Sequence, residues 1–240
     1  MPEIVVLPTP AAVAEALADR TATALRAALA GEPRVTLCLT GGSTPEPAYR
    51  RLAQAEGIDW ARVHIFWGDE RSVPPDHPDS NVGMARRALL DAIEIPDDNI
   101  HRMPGECDHE KGALVYEQAL EQFFGDDLAF DVLHLGMGTD GHTASLFPGS
   151  PALDEMERRV VASTAPAGSP TPERVTLTYP ALNRARLCLV AAAGEAKREA
   201  FQDVLDAFDG EGVGPPVARV VSTECVWLVD RTLAQGMDDE

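Results

Sequence analysis

Two rhythms of apolar and polar positions alternate along the chain. Short, nearly continuous apolar runs at Glu3–Leu7, Arg34–Leu39, Arg62–Trp67, Asp131–Leu135, Arg186–Ala193 and Glu224–Val229 have the character of parallel strands covered on both faces. Between them, apolar residues return every three or four positions. Val13, Leu17, Leu25 and Leu29 place a long helix over Ala11–Ala30, stopped by Gly31 and Pro33. Further helices are expected over Glu46–Ala55, Ser80–Ile93, Asp108–Phe124 and from Gly194 to about Ala207, with a short one over Pro215–Val220. Ile100–Met103 and Arg159–Ser163 read as short strands, and the alternating segment Pro172–Pro180 as another. Strands taking turns with helices predict one α/β domain over residues 1–240. Its core would be a doubly wound, mostly parallel Rossmann-like sheet, with room for a small extra lobe.

Composition narrows the class. The chain has 240 residues, 45% hydrophobic and 25% charged, which suits one globular domain with a full core. No apolar run approaches the roughly 20 residues of a membrane span. The N-terminus has neither the basic start nor the longer apolar core of a secretory signal, so a cytoplasmic location is expected. Four scattered cysteines form no C-x-x-C pair and suggest neither a disulfide framework nor a zinc site. A formal net charge of −19 argues against nucleic acid or an anionic membrane as partner. The acidic tail from Gln235 is expected to fray.

Against this charge, the candidate chemistry gathers where strands end. After the second strand comes Thr40-Gly-Gly-Ser-Thr-Pro45. Gly41 and Gly42 expose backbone N–H groups, Ser43 and Thr44 offer hydroxyls, and Pro45 suits the first position of a helix whose N-terminus faces the turn. That is an anion site, most plausibly for phosphate, though an ordinary strand-to-helix turn has the same composition. It is not a nucleotide P-loop, because the lysine of that motif is missing. The third strand runs into Gly68-Asp-Glu-Arg-Ser-Val-Pro74, so Asp69 and Arg71 emerge at the same end of the sheet. Asp69, Glu70, Asp76, His77 and Asp79 lack a ligand spacing, and no metal is expected. His101 and His109 read as surface or packing residues rather than ligands. Lys197 falls in the first turn of a helix, where the dipole disfavours a cation, and an anion bound at that end would account for it. Ala165–Thr171, of small residues and prolines, is a candidate lid.

The densest stretch is Asp131–Gly149, DVLHLGMGTDGHTASLFPG. Gly136, Gly138 and Gly141 turn the backbone sharply after the strand, and Asp140 and His142 flank Gly141. A carboxylate two residues from an imidazole can be a general base with its partner. The turn also matches G-x-G-x-x-G, but Asp140 would face a pyrophosphate with negative charge. Thr143 and Ser145 can be read as caps of a following helix.

This stretch closely resembles the signature of the 6-phosphogluconolactonases, relatives of the glucosamine-6-phosphate deaminases. The segment His142-Thr-Ala-Ser-Leu-Phe-Pro148 favours the lactonase side. The resemblance spans nearly the whole chain and is strongest at residues 40–45, 67–74, 136–149 and 172–184. It implies hydrolysis of 6-phosphogluconolactone, with a sugar-phosphate lactone as small-molecule partner and no cofactor. His142 would be the general base, and Asp140 would orient or support it or else contact the substrate. Arg71, or N–H groups of the glycine-rich turn, would meet the oxyanion. Asp69 would have an active-site role, while Arg174, Lys197 and the Gly41-Gly42-Ser43-Thr44 turn would grip the phosphate. A deaminase on the same scaffold and a non-catalytic sugar-phosphate sensor are the alternatives. Oligomeric state is not legible.

Overall fold

The computed structural model describes residues 2–235, so the acidic tail beyond Gln235 lies outside the described residues. In chain order the elements are β1 (Glu3–Leu7), α1 (Pro10–Gly31), β2 (Val35–Leu39), α2 (Pro45–Leu52), β3 (Val63–Trp67), β4 (Asp69–Arg71), α3 (Asn81–Ala88) and α4 (His109–Phe124). There follow β5 (Val132–Gly136), β6 (Val160–Thr164), β7 (Glu173–Leu177), α5 (Tyr179–Leu182), β8 (Leu187–Ala192), α6 (Arg198–Phe208) and β9 (Glu224–Asp230). Six strands form one sheet in the order β1-β9-β8-β5-β2-β3, and every pairing in it is parallel. Its inner strands are buried on both faces, as their unbroken apolar runs require. α1 starts at an N-cap, where Thr9 accepts from the Ala12 N–H (3.2 Å), with Pro10 preset for the first turn. It packs on α2 and across β9, β8 and β5.

The second sheet is the main departure from the sequence reading. β4, β7 and β6 pair antiparallel, with Arg71 opposite Arg174 and Asp69 opposite Thr176. It hangs from the C-terminal end of β3, covered by α4. The predicted strand at 172–180 therefore ends at Leu177, because Thr178 and Pro180 open the single turn α5. The helix expected over 80–93 ends at Ala88 and resumes as a 3₁₀ turn at Leu90–Ala92. Ile100 makes one isolated bridge to Ile65 rather than a strand, and the 215–220 segment is a 3₁₀ turn at Pro216–Arg219. The four cysteines are free thiols. Among the described residues no helix is long and apolar enough to cross a membrane.

Two histidines are folded into this core. His134 of β5 is fully buried, its Nε2 2.7 Å from the Thr21 hydroxyl, and burial pushes it down to about 3. His101 stacks on Phe66 (4.5 Å between centroids) and lies 3.0 Å from the His64 ring nitrogen; burial, then His64 and Arg34, lower it to about 4. The unfolded chain binds both protons near the ordinary imidazole value of about 6.5. Below that value the unfolded state holds more protons, so stability falls as pH falls, by up to ~1.4 kcal/mol per pH unit per histidine. The loss continues to about pH 4 for His101 and about pH 3 for His134. Urea unfolding between pH 7 and 4 is expected to show this slope, reduced in His101→Phe; an unchanged slope in that variant would refute the assignment.

Candidate active site

The C-terminal ends of β2, β3, β5 and β8 open onto one cavity of about 540 Å³, the place where a parallel sheet gathers its ligand loops. After β5 the chain folds back on itself. Gly138 N–H donates to the His142 carbonyl (2.9 Å), Gly141 N–H to the Gly138 carbonyl (3.1 Å), and His142 N–H to the Asp140 carboxylate (3.2 Å). The turn closes around an ion-pair geometry, with His142 Nδ1 2.5 Å from Asp140 Oδ1. Burial would raise the Asp140 carboxyl, but hydrogen bonds from His142 outweigh it and hold it below the usual carboxylate range. An ionised carboxylate only accepts, so the neutral ring would carry its proton on Nδ1 and keep the lone pair on Nε2. Phe147 packs on the imidazole at 4.7 Å. A Cβ at Gly138 would stand 2.1 Å from His142 Nδ1, which is why this position carries none.

The residues after His142 start no helix, contrary to the capping expectation. Thr143 donates its hydroxyl to the Gly136 carbonyl (2.8 Å). Ser145 donates its hydroxyl to Asp69 Oδ2 (2.7 Å), takes the Thr176 hydroxyl as acceptor for its N–H (3.1 Å), and accepts at its carbonyl from Ser163 (2.7 Å). Asn81 donates its amide to the Asp69 carbonyl (2.8 Å) and carboxylate (3.2 Å), and fills the space a Cβ at Gly41 would need. Next to it, Glu70 accepts from the N–H groups of Arg71, Asn81 and Val82 and from the Ser80 hydroxyl. It thereby ties the start of α3 to β4. Burial pushes the Glu70 carboxyl up against the pull of those N–H groups.

Cations line the same cavity. Arg71 and Arg174 are register partners across β4 and β7, with Arg174 only 8% exposed. Arg174 donates to Ser169 (3.1 Å) and Arg71 to the Asp79 carbonyl. Arg71 Nε, Arg174 Nε and Arg174 Nη1 are buried with no partner. Burial first, then Arg71, depresses the Arg174 guanidinium, while Asp69 and Glu70 oppose this. Lys197 lies immediately before α6, lowered by burial and raised by Asp230. In the turn before α2, the N–H groups of Gly42, Ser43 and Thr44 find no acceptor among the described residues.

All the residues singled out in the sequence, Gly41, Gly42, Ser43, Thr44, Asp69, Arg71, Asp140, His142, Arg174 and Lys197, line this one cavity. Ser145, Asn81, Glu70, Ser169 and Phe147 were missed. Ser145 and Phe147 lie within the segment that separates lactonases from deaminases, so for these two the signal existed without its geometry. Among the described residues no group of three or more His, Cys, Asp or Glu is arranged to hold a metal ion.

Residues 8–227 match the family of glucosamine-6-phosphate isomerases/6-phosphogluconolactonase. A 6-phosphogluconolactonase of Synechocystis sp. is 41% identical over 222 residues, covering 90% of each chain. That of Mycobacterium tuberculosis is 40% identical over 228 residues, covering 91% of this chain and 92% of the relative. The solved 6-phosphogluconolactonase from Trypanosoma cruzi superposes with a TM-score of 0.87 at 30% identity, covering 99% of this chain and 97% of that one.

Gly138→Ala should displace the imidazole without unfolding the protein. The expected result is loss of the downfield Nδ1–H proton resonance of the His142–Asp140 bond, with a cooperative melt retained. A variant that keeps the resonance would contradict the close approach described above.

Proposed function

The chain belongs to the glucosamine-6-phosphate isomerase/6-phosphogluconolactonase family, and we propose that it hydrolyses 6-phospho-D-glucono-1,5-lactone to 6-phosphogluconate, a step of the oxidative pentose phosphate pathway. The observation that carries this reading is a histidine bonded through Nδ1 to Asp140 and sharing one cavity with Arg71, Arg174 and Lys197. His142 Nε2 takes a proton from water as its oxygen attacks the lactone carbonyl carbon C1. Asp140 holds the tautomer and offsets the charge on the imidazolium. Arg71 faces the alkoxide that forms. When the intermediate collapses, the ring C1–O5 bond breaks and O5 takes the proton back from His142. Water is consumed and the catalyst is restored. Arg174, Lys197 and the N–H groups of Gly42–Thr44 grip the phosphate, and this remote binding places C1 against the base.

Asp69 has a supporting part here, since its carboxylate is already engaged by Ser145 and Asn81. The deaminase reading is disfavoured because the two curated relatives described, at 40–41% identity, carry the lactonase name. The residues after His142 are also built into the site. Ammonia release from an amino-sugar phosphate would overturn the reading.

Hydrolysis of freshly generated lactone tests the roles. His142→Ala is expected to lower kcat by roughly 10²–10⁴ with little change in KM, and an unchanged kcat would remove His142 from the mechanism. Arg174→Ala is expected to raise KM roughly 10–100-fold while kcat holds. An equal loss on the lactone lacking a phosphate would show that Arg174 does not read the phosphate.

A further inference from the structure

The chain has three tyrosines, and each directs its hydroxyl to backbone that leads into the cavity. Tyr49 of α2, fully buried, accepts from the Thr40 N–H (3.0 Å) and donates to the Thr40 carbonyl (3.0 Å). Thr40 lies one residue past the last register pair of β2, Leu39 with Trp67, so its peptide groups have left the ladder. The phenol takes the place of the missing strand at the residue from which the Gly41–Thr44 turn springs. Below it His134 stacks at 5.7 Å and 16°, itself held by Thr21. Tyr116 of α4 repeats the device on β3, accepting from the Trp67 N–H (3.0 Å) and donating to its carbonyl (3.2 Å), two residues before Asp69.

Tyr179 addresses a different segment. Its hydroxyl donates to the Pro216 carbonyl (2.9 Å). The two neighbours of Pro216 brace the catalytic turn: Val217 N–H donates to the Gly141 carbonyl (3.0 Å), and Pro215 lies so close that a Cβ at Gly141 would come within 2.3 Å of it. Gly141, at φ +75, is the residue between Asp140 and His142. A rigid phenol with two torsions suits this work, since it fixes backbone at little entropic cost. Its loss leaves buried peptide groups unsatisfied.

We propose that Tyr49 and Tyr179 are positioning residues for separate halves of the reaction, Tyr49 for the phosphate-binding turn and Tyr179 for the His142–Asp140 couple. The assignment rests on the function proposed above. The test uses phenylalanine at each position, with kcat and KM on the phosphorylated lactone, calorimetric binding of inorganic phosphate, and a thermal melt. Tyr49→Phe is expected to raise KM and the phosphate Kd about tenfold, with kcat within about twofold of wild type. Tyr179→Phe is expected to lower kcat about tenfold and to leave phosphate binding in place. If Tyr49→Phe does not fold, His134→Gln removes the ring beneath Tyr49 and should raise the phosphate Kd by a smaller factor. Parallel losses in kcat and KM in both variants, or lowered melting temperatures with wild-type kinetics, would overturn the assignment alone. A wild-type protein that neither binds phosphate nor hydrolyses the lactone would overturn the functional reading and this assignment together.

Discussion

The hydrogen bond from Ser145 to Asp69 is the tie on which the cavity depends. It joins the turn after β5, which belongs to the parallel sheet, to the first residue of the antiparallel one. The Ser145 peptide completes the joint by bonding to Thr176 on β7 and Ser163 on β6. Both residues are buried, so the carboxylate has little solvent to fall back on and depends on the Ser145 hydroxyl and the Asn81 amide. The joint also holds Ala144, just before it, at φ +49, unlike every other described non-glycine residue. Such a conformation costs on the order of 1–3 kcal/mol and persists only where neighbouring bonds over-determine it. Here the bonds of Thr143 and Ser145, on either side, do so.

Two guanidinium groups packed side by side are a cost that the fold only partly offsets. Arg71 and Arg174 face one another across the β4–β7 ladder, and three of their nitrogens are buried without a partner. Asp69, Glu70 and Asp79 favour the charge on Arg174. Asp69 and Glu70 are already committed to hydrogen bonds of their own, which leaves a local surplus of donors inside the fold. This local surplus has to act against a chain whose formal charge is −19. Short-range, desolvated contacts can prevail in that contest because the surface field is screened within about 8 Å at physiological salt. The cavity can thus attract a sugar phosphate while the surface as a whole repels polyanions.

The site was far more legible in the sequence than the architecture that carries it. Gly138 stands out because the His142 imidazole comes too close for a side chain, and that requirement is written locally, whereas the ring that crowds Gly141 belongs to the distant Pro215. Asp140 and His142 are two residues apart, so their contact needs no knowledge of the fold. The small sheet is another matter. β4 is three residues long and pairs with a strand about a hundred residues away, so no window of sequence contains the pairing. Glu70 lies inside a recognisable motif, yet its partners are Ser80, Asn81 and Val82 across a loop. Ser145 has the residue type of a helix cap, and nothing near it in sequence says otherwise. Its real acceptor is 76 positions earlier.

The geometry of the catalytic turn also bears on which group can meet the oxyanion. Backbone N–H groups of the glycine-rich turn were one possibility. Gly138, Gly141 and His142 have already committed theirs to the His142 carbonyl, the Gly138 carbonyl and the Asp140 carboxylate. That leaves Thr139 and Asp140 as the members of the turn whose N–H groups bond no other described residue. Releasing any of the committed ones to a ligand would loosen the bonds that hold the imidazole against its carboxylate. Arg71 has no such conflict. Its side chain lines the cavity and is anchored through Nη1 on the Asp79 carbonyl. A charged group that is held in place before the reaction needs no reorganisation when charge develops, which is the condition for electrostatic stabilisation of an alkoxide. In the proposed mechanism the turn serves the base, and the small sheet brings positive charge beside it. On that reading one cavity draws on both sheets, and the Ser145–Asp69 bond is what holds them together at its floor.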